Sequence, residues 1–244
     1  MRVLVVSDIH SNIEALHAVL GHAQRQGGFD AVWCTGDIVG YGADPGAVID
    51  ALRLLGATCV CGNHDLAACG RIGVNDFNPA AADAAIWTRG ALSEAERDHL
   101  ESLPLIARAE DVTLVHGSLR EPEWEYLLDH EGARAQFERQ QTPWSIVGHS
   151  HLQFICIEHP EGPPRFHMTS DGEEIMLDDT RVILNAGSVG QPRDGDPRAG
   201  YMLLDTGMRI VSWHRVRYDV ARTAAKIRAA GLPHILAARL FEGQ

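Results

Sequence analysis

Basic charge is scarce in this chain, disulfide spacing is absent, and no apolar run is long enough to span a membrane. Its 244 residues carry 33 acidic against 21 basic side chains, a net charge of −12. Non-specific binding to nucleic acid or to an anionic membrane needs clustered Lys and Arg, so neither long nucleic acid nor a membrane is expected as a partner. An anionic substrate is still allowed, because bound divalent cations make a cleft locally positive whatever the net charge. The five cysteines are an odd number. Cys34, Cys59, Cys61 and Cys156 sit in apolar runs, where small core residues are expected. Cys59 and Cys61 alternate along one strand face, yet no second Cys pair supplies the other ligands of a thiolate site. The chain opens as a strand rather than as a signal peptide, which makes the cytoplasm the expected compartment. There is no internal repeat, low-complexity tract or linker, so residues 1–244 are expected to form one domain with a substantial core.

Apolar runs and turn residues give the order of elements. Val3–Val6, Ala31–Thr35 and Thr58–Cys61 read as strands. Between them lie a helix from a Ser11/Glu14 capping box to about Gln26 and a second helix from Pro45 to Leu55. Strand–helix–strand alternation with short turns means parallel pairing and right-handed crossovers. Helices are expected at Pro79–Gly90, Ser93–Ser102 and Asp129–Gln141, and strands at Val112–Val115 and Ser145–Val147. From Phe154 to Trp213 short β runs between Gly, Pro and Asp turns suggest a second, antiparallel sheet. A closing helix is expected near Val220–Ala230, and Pro233 allows another short one.

Five of these strands run directly into metal-type ligands: Asp8-x-His10, Gly36-Asp37, Gly62-Asn63-His64-Asp65, His116-Gly117 and Gly148-His149-Ser150-His151. Strand ends of an α/β fold converge on one rim. Three Asp, five His and one Asn then meet in one cleft, the outline of a binuclear metal centre. Residues two apart at a strand end point the same way, so Asp8 with His10, and His149 with His151, are each expected to grip an ion together.

In this ordered set the chain resembles the calcineurin-like metallophosphoesterase superfamily, and within it the small bacterial and archaeal phosphoesterase branch, from Val3 to about Tyr218. The resemblance implies an α/β fold in which a central two-sheet β-sandwich is flanked by helices on both faces. It implies one metal held by Asp8, His10 and His151, a second by Asn63, His116 and His149, and Asp37 bridging both together with a water or hydroxide. Mixed carboxylate, imidazole and amide ligands suit two divalent ions, Mn²⁺, Fe or Zn²⁺, with Mn²⁺ favoured. His64 would stand beside the metals to stabilise developing charge or protonate the leaving oxygen, with Asp65 or Asp44 as its orienting carboxylate. The implied reaction is in-line attack of the bridging hydroxide on the phosphorus of a small phosphodiester. Alternatives are a nucleotide or phosphomonoester substrate, or a metal-binding scaffold without turnover.

Protein Ser/Thr phosphatases and symmetrical diadenosine-tetraphosphate hydrolases carry an Arg in the turn after Gly-Asp. Here that turn runs Gly36 to Gly42 without one, which argues against a protein phosphatase. Arg120 and Arg193 are the candidate substrate-binding cations. The bland reading of Arg193 pairs it with Asp194 or Asp196. Trp87, Trp124 and Tyr126 lack a basic groove beside them and read as core or rim packing. The other histidines, His22 and His214 among them, read as surface or helix residues. Oligomeric state has no signature here.

Overall fold

The computed structural model describes residues 1–159 and 161–244. The first third alternates as expected: β1 (Arg2–Val6), α1 (Ile13–Arg25), β2 (Ala31–Cys34), α2 (Pro45–Leu54) and β3 (Thr58–Cys59). Next come α3 (Asn63–Cys69), α4 (Pro79–Ala91), α5 (Glu94–Ser102), β4 (Ile106–Ala109), β5 (Val112–Val115), α6 (His130–Arg139) and β6 (Trp144–Val147). The remainder is β7 (Gln153–Ile157), β8 (Arg165–Met168), β9 (Glu174–Met176), β10 (Val182–Ala186), β11 (Ala199–Asp205), β12 (Ile210–Val216), α7 (Val220–Ala229) and α8 (His234–Ala238).

Two six-stranded sheets result, in the orders β3-β2-β1-β11-β12-β9 and β4-β5-β6-β10-β7-β8. Strand β1 shows why they stack. Val3 and Val5 point into the core between the sheets with Trp33, Ile146, Leu184 and Trp213, while Leu4 and Val6 point to the outer core under α1 and α2. Period-two alternation with apolar residues on both faces is the pattern of a strand buried on both sides. Such a strand also needs a partner on each edge. The segment from Phe154 to Trp213 therefore does not form an antiparallel sheet of its own, as its composition suggested. Instead β11 pairs antiparallel with β1, and β10 pairs parallel with β6, so the late strands complete both sheets.

Local caps also differ from expectation. Helix α1 is capped by Asn12, whose side chain accepts from the Ala15 N–H at 3.1 Å. Ser11 instead has φ +55°, donates its N–H to Ile38 at 3.0 Å and leaves its hydroxyl unpaired. Helix α3 was not anticipated, because its start is hidden in the motif itself: Asp65 at its third position accepts from the Gly62 N–H at 3.0 Å. Helices α7 and α8 pack Ala224, Ile227, Leu236 and Ala237 against Tyr41, Ala81 and Ala84. All five cysteines are free, and Cys34, Cys59, Cys61 and Cys156 are buried. Among the described residues no helix is long and apolar enough to cross a membrane.

Candidate metal centre

Each candidate ligand lies just beyond the carboxyl end of β1, β2, β3, β5 or β6, Asn63 as the first residue of α3 and the others in the connecting turns. The turns are tight and left-handed. Asp8, His10, Ser11, Asp37, Tyr41, His149 and His151 all have φ between +49° and +63°, a region costly for non-glycine residues. Asp8 and His10 therefore converge because two left-handed residues fold the chain back, and not because they alternate on a strand that ends at Val6. The same holds for His149 and His151 after Val147. Glycines allow the close approach. A Cβ on Gly62 would lie 2.1 Å from Asp37 Oδ1, and one on Gly148 would lie 2.2 Å from Ser7 Oγ.

The donors meet in three overlapping groups: Asp8, His10 and His151; His10, Asp37 and His64; Asp37, His116 and His149. His151 Nε2 lies 3.2 Å from Asp8 Oδ1 and 3.2 Å from His10 Nε2. His116 Nε2 lies 3.4 Å from Asp37 Oδ2 and 3.1 Å from His149 Nδ1. Ligand atoms ~2.0–2.2 Å from a common ion are about 3.0–3.5 Å from one another. The spacing suits two cations.

Hydrogen bonding tells the same story. His10 Nδ1 donates to the Val39 carbonyl at 3.2 Å, His116 Nδ1 to Thr35 at 2.8 Å, His149 Nε2 to Trp124 at 3.1 Å, and His151 Nδ1 to Gln191. Each ring spends its proton outward and aims an unprotonated nitrogen inward, the tautomer a metal-binding imidazole needs. Two lone pairs such as His10 Nε2 and His151 Nε2, 3.2 Å apart, repel unless a cation lies between them. The carboxylates behave alike. Asp8 ties Oδ2 to the His149 N–H at 3.2 Å and leaves Oδ1 buried without a partner. Asn63 Oδ1 is likewise buried and unpartnered. Orphaned acceptors among inward-facing imidazoles fit bound divalent ions.

Burial raises the Asp37 carboxyl, but His116, His64 and His10 outweigh it and hold the group well below the usual carboxylate range. Burial pulls His116 down, yet Asp37 lifts it to about 9, so without a cation the ring takes a second proton on the nitrogen facing Asp37, a proton that a bound metal would displace. His64 is pushed down to about 4, by burial first, and enters as a neutral imidazole rather than one poised near neutrality.

His64 lines the cleft, held between Tyr41 (centroids 4.3 Å apart), Phe77 (4.9 Å) and His10 (5.0 Å). Its Nδ1 is buried, without a partner, against Gly40. Neither expected carboxylate orients it. Asp65 accepts from the Val39 and Gly62 N–H groups, both at 3.0 Å, and so ties the Asp37 turn to the Asn63 turn. Asp44 accepts from Lys226 Nζ at 2.8 Å on the surface of the C-terminal helices.

The two arginines separate. Arg120 is paired with Glu125 and Glu131 and does not line the cleft. Arg193 does line it, donating to Gln191 Oε1 at 3.1 Å with its guanidinium 6.0 Å from the Tyr41 ring centre. Asp194 and Asp196 are not its partners: Arg215 and Arg198 take them.

The walls of this 160 Å³ cleft include Tyr41, Phe77, Trp124 and Tyr126. Trp124 and Tyr126 were expected as core or rim packing and stand at the rim, whereas Tyr41, inside the Gly36–Gly42 turn, and Phe77, which carries no motif signal, were not anticipated. His22 lies on helix α1, as expected, and bonds the Tyr201 hydroxyl at 2.6 Å, whereas His214 departs from a surface or helix assignment: it is buried on a strand and stacked on Tyr201 at 5.1 Å. A larger cleft of 470 Å³ beside Arg181 and Glu158 is lined by none of the residues of the five strand-end motifs.

The family profile described as the calcineurin-like phosphoesterase superfamily domain matches residues 1–209. An uncharacterized protein of Methanocaldococcus jannaschii is 37% identical over 99% of this chain and 98% of its own length. The symmetrical bis(5′-nucleosyl)-tetraphosphatase of Glaesserella parasuis is 30% identical over 71% of this chain and 63% of that protein. Among solved structures, a metallophosphoesterase from Sphaerobacter thermophilus superposes with a TM-score of 0.90 at 42% identity, covering 100% of this chain and 99% of that one.

Proposed function

We propose that this chain, which belongs to the calcineurin-like phosphoesterase superfamily, hydrolyses small phosphodiesters at a pair of divalent ions. Metal-dependent hydrolysis of a phosphoric ester is the activity of the class; the bond type, the metal number and the residue roles are our reading. Asp8, His10 and His151 would hold one ion, Asn63, His116 and His149 the other, and Asp37 would lie between them. The observation that carries this is the set of inward-facing imidazole nitrogens around the unpartnered Asp8 Oδ1 and Asn63 Oδ1. Mn²⁺ is the first ion to try.

Bound there, divalent ions supply Lewis-acid polarisation of the phosphoryl oxygens and a water acidic enough to attack near neutral pH. The chain's own groups do the rest. His64, neutral and wedged by Gly40, Tyr41 and Phe77, presents its other ring nitrogen to the cleft as a hydrogen-bond donor to developing charge. Arg193 offers unspent guanidinium donors to a phosphoryl oxygen. The tie from Asp65 to Val39 and Gly62 holds the Asp37 and Asn63 turns in register.

Stripped protein reloaded with Mn²⁺ should turn over bis-p-nitrophenyl phosphate faster than p-nitrophenyl phosphate, and the metal-free protein should turn over neither. Loss of metal dependence would end this reading. A nucleotide phosphohydrolase or monoesterase is the second reading, favoured by likeness to the Glaesserella parasuis enzyme. Faster cleavage of the monoester or of a dinucleoside tetraphosphate would select it.

A further inference from the structure

The cleft that Arg193 lines is also walled by aromatic side chains. Phe77, from the connection between α3 and α4, meets Trp124, from the connection between β5 and α6, edge to face with centroids 5.1 Å apart. Tyr126 lies flat on His149, its centroid 4.0 Å away and its plane tilted by 22°. Its outer face is open, with 48% of the residue exposed. Packing gains nothing from an aromatic face left in water. A face kept open on a ring stacked against a candidate metal ligand is placed to receive another flat ring.

We infer that Phe77, Trp124 and Tyr126 form a leaving-group subsite for a planar aromatic ring. This rests on the phosphoesterase reading of the same site. In the reaction the P–O bond to the ring-bearing alcohol breaks, water supplies the new P–O bond, and its proton leaves with the alcohol. Phe77, Trp124 and Tyr126 hold the departing ring and take no part in bond making.

The test pairs two phosphate esters of similar size and alcohol acidity, 2-phenylethyl and 2-cyclohexylethyl, with Mn²⁺-loaded protein. The phenyl ester should be favoured about tenfold in kcat/KM, roughly the free energy of one modest stacking contact. The ratio should fall toward one in Tyr126→Leu and Trp124→Leu; the Trp124 carbonyl that holds His149 survives the second change. A ratio near one in the native protein, or one that both variants keep, overturns the subsite. Calorimetric titration with the matching phosphonates separates this idea from the hydrolase reading. Preferred binding of the phenyl phosphonate without turnover keeps the subsite and removes the hydrolase. Equal binding of both phosphonates removes the subsite whatever the activity.

Discussion

The main-chain N–H of His64 donates to Oδ1 of Asp37 at 2.9 Å, so the residue beside one candidate ligand clamps another. With Oδ1 engaged, Oδ2 faces His10 Nε2 at 3.7 Å and His116 Nε2 at 3.4 Å. Asp8 repeats the device, one oxygen tied to main chain and one left free. In both cases the turn chooses which oxygen is offered inward.

Asp37→Asn should therefore keep the fold and the Oδ1 hydrogen bond while replacing the inward oxygen with an amide NH₂ that cannot bind a cation. We expect metal content to fall below two ions per chain and kcat/KM to drop at least ~10–100-fold, the range for disturbed metal sites. Elemental analysis beside steady-state kinetics reads both. Two retained ions with unchanged kinetics would show that Asp37 is no ligand.

Chelation should lower the melting temperature. Ions that bind only the folded chain stabilise it by about 2.7 kcal/mol at a hundredfold excess over Kd. For a chain of this size that is about 5–10 °C. Scanning calorimetry with and without chelator checks this; coincident curves would contradict tight binding at a preformed centre.

Gly40→Ala tests the seat of His64. Gly40 has φ +93°, and a Cβ there would fall 2.5 Å from His64 Nδ1. The ring must move. We expect kcat to fall part of the way to that of His64→Ala, itself lower by ~10²–10⁴, with two ions still bound. A wild-type kcat would mean that the position of the ring is immaterial.

Arg193→Gln should raise KM for the diester about tenfold, the loss of roughly one charge-assisted contact of ~1.4 kcal/mol. Arg215→Met should raise it less, because it frees Asp194 and so loosens the segment that carries Arg193. An unchanged KM in Arg193→Gln would leave that guanidinium without a role in binding.

The His214 pair gives a pH dependence of stability. Burial, followed by the nearby His22, lowers the His214 pKa below its ordinary value of 6.5. The unfolded chain then takes up the proton first, so stability is intact above about 6.5 and declines as pH falls below it. Urea midpoints at pH 7.5 and 5.5 should separate more in the wild type than in His214→Gln. Equal separation in the two proteins would rule out the contribution.

Much of the site was legible because its signals are local. Asp8, His10, Asp37, Asn63, His64, His116, His149 and His151 each follow a strand within a few residues, and parallel strands bring their ends together. The strand pattern of β1, with Val3 and Val5 alternating with Leu4 and Val6, announced burial on both faces. The destination of β10 and β11 was not legible, since a short apolar strand pairs as well with one sheet as with another until the buried edges of β1 and β6 claim it. The alternative pairing of Arg193 with its neighbouring carboxylates fails for the same reason. Asp194 and Asp196 adjoin it in sequence, and only the fold brings Arg215 and Arg198 in to occupy them.

The sequence by itself determined the donor types, their order along the chain and the strands that deliver them, because these follow from side-chain chemistry and period-two patterning. Tertiary structure alone decided which nitrogen of each imidazole faces inward. The choice rests on carbonyls of Val39, Thr35, Trp124 and Gln191, held by His10, His116, His149 and His151 at separations of 25 to 81 residues along the chain. A backbone carbonyl looks the same in every residue, so only the folded path of the chain says which one a histidine will meet.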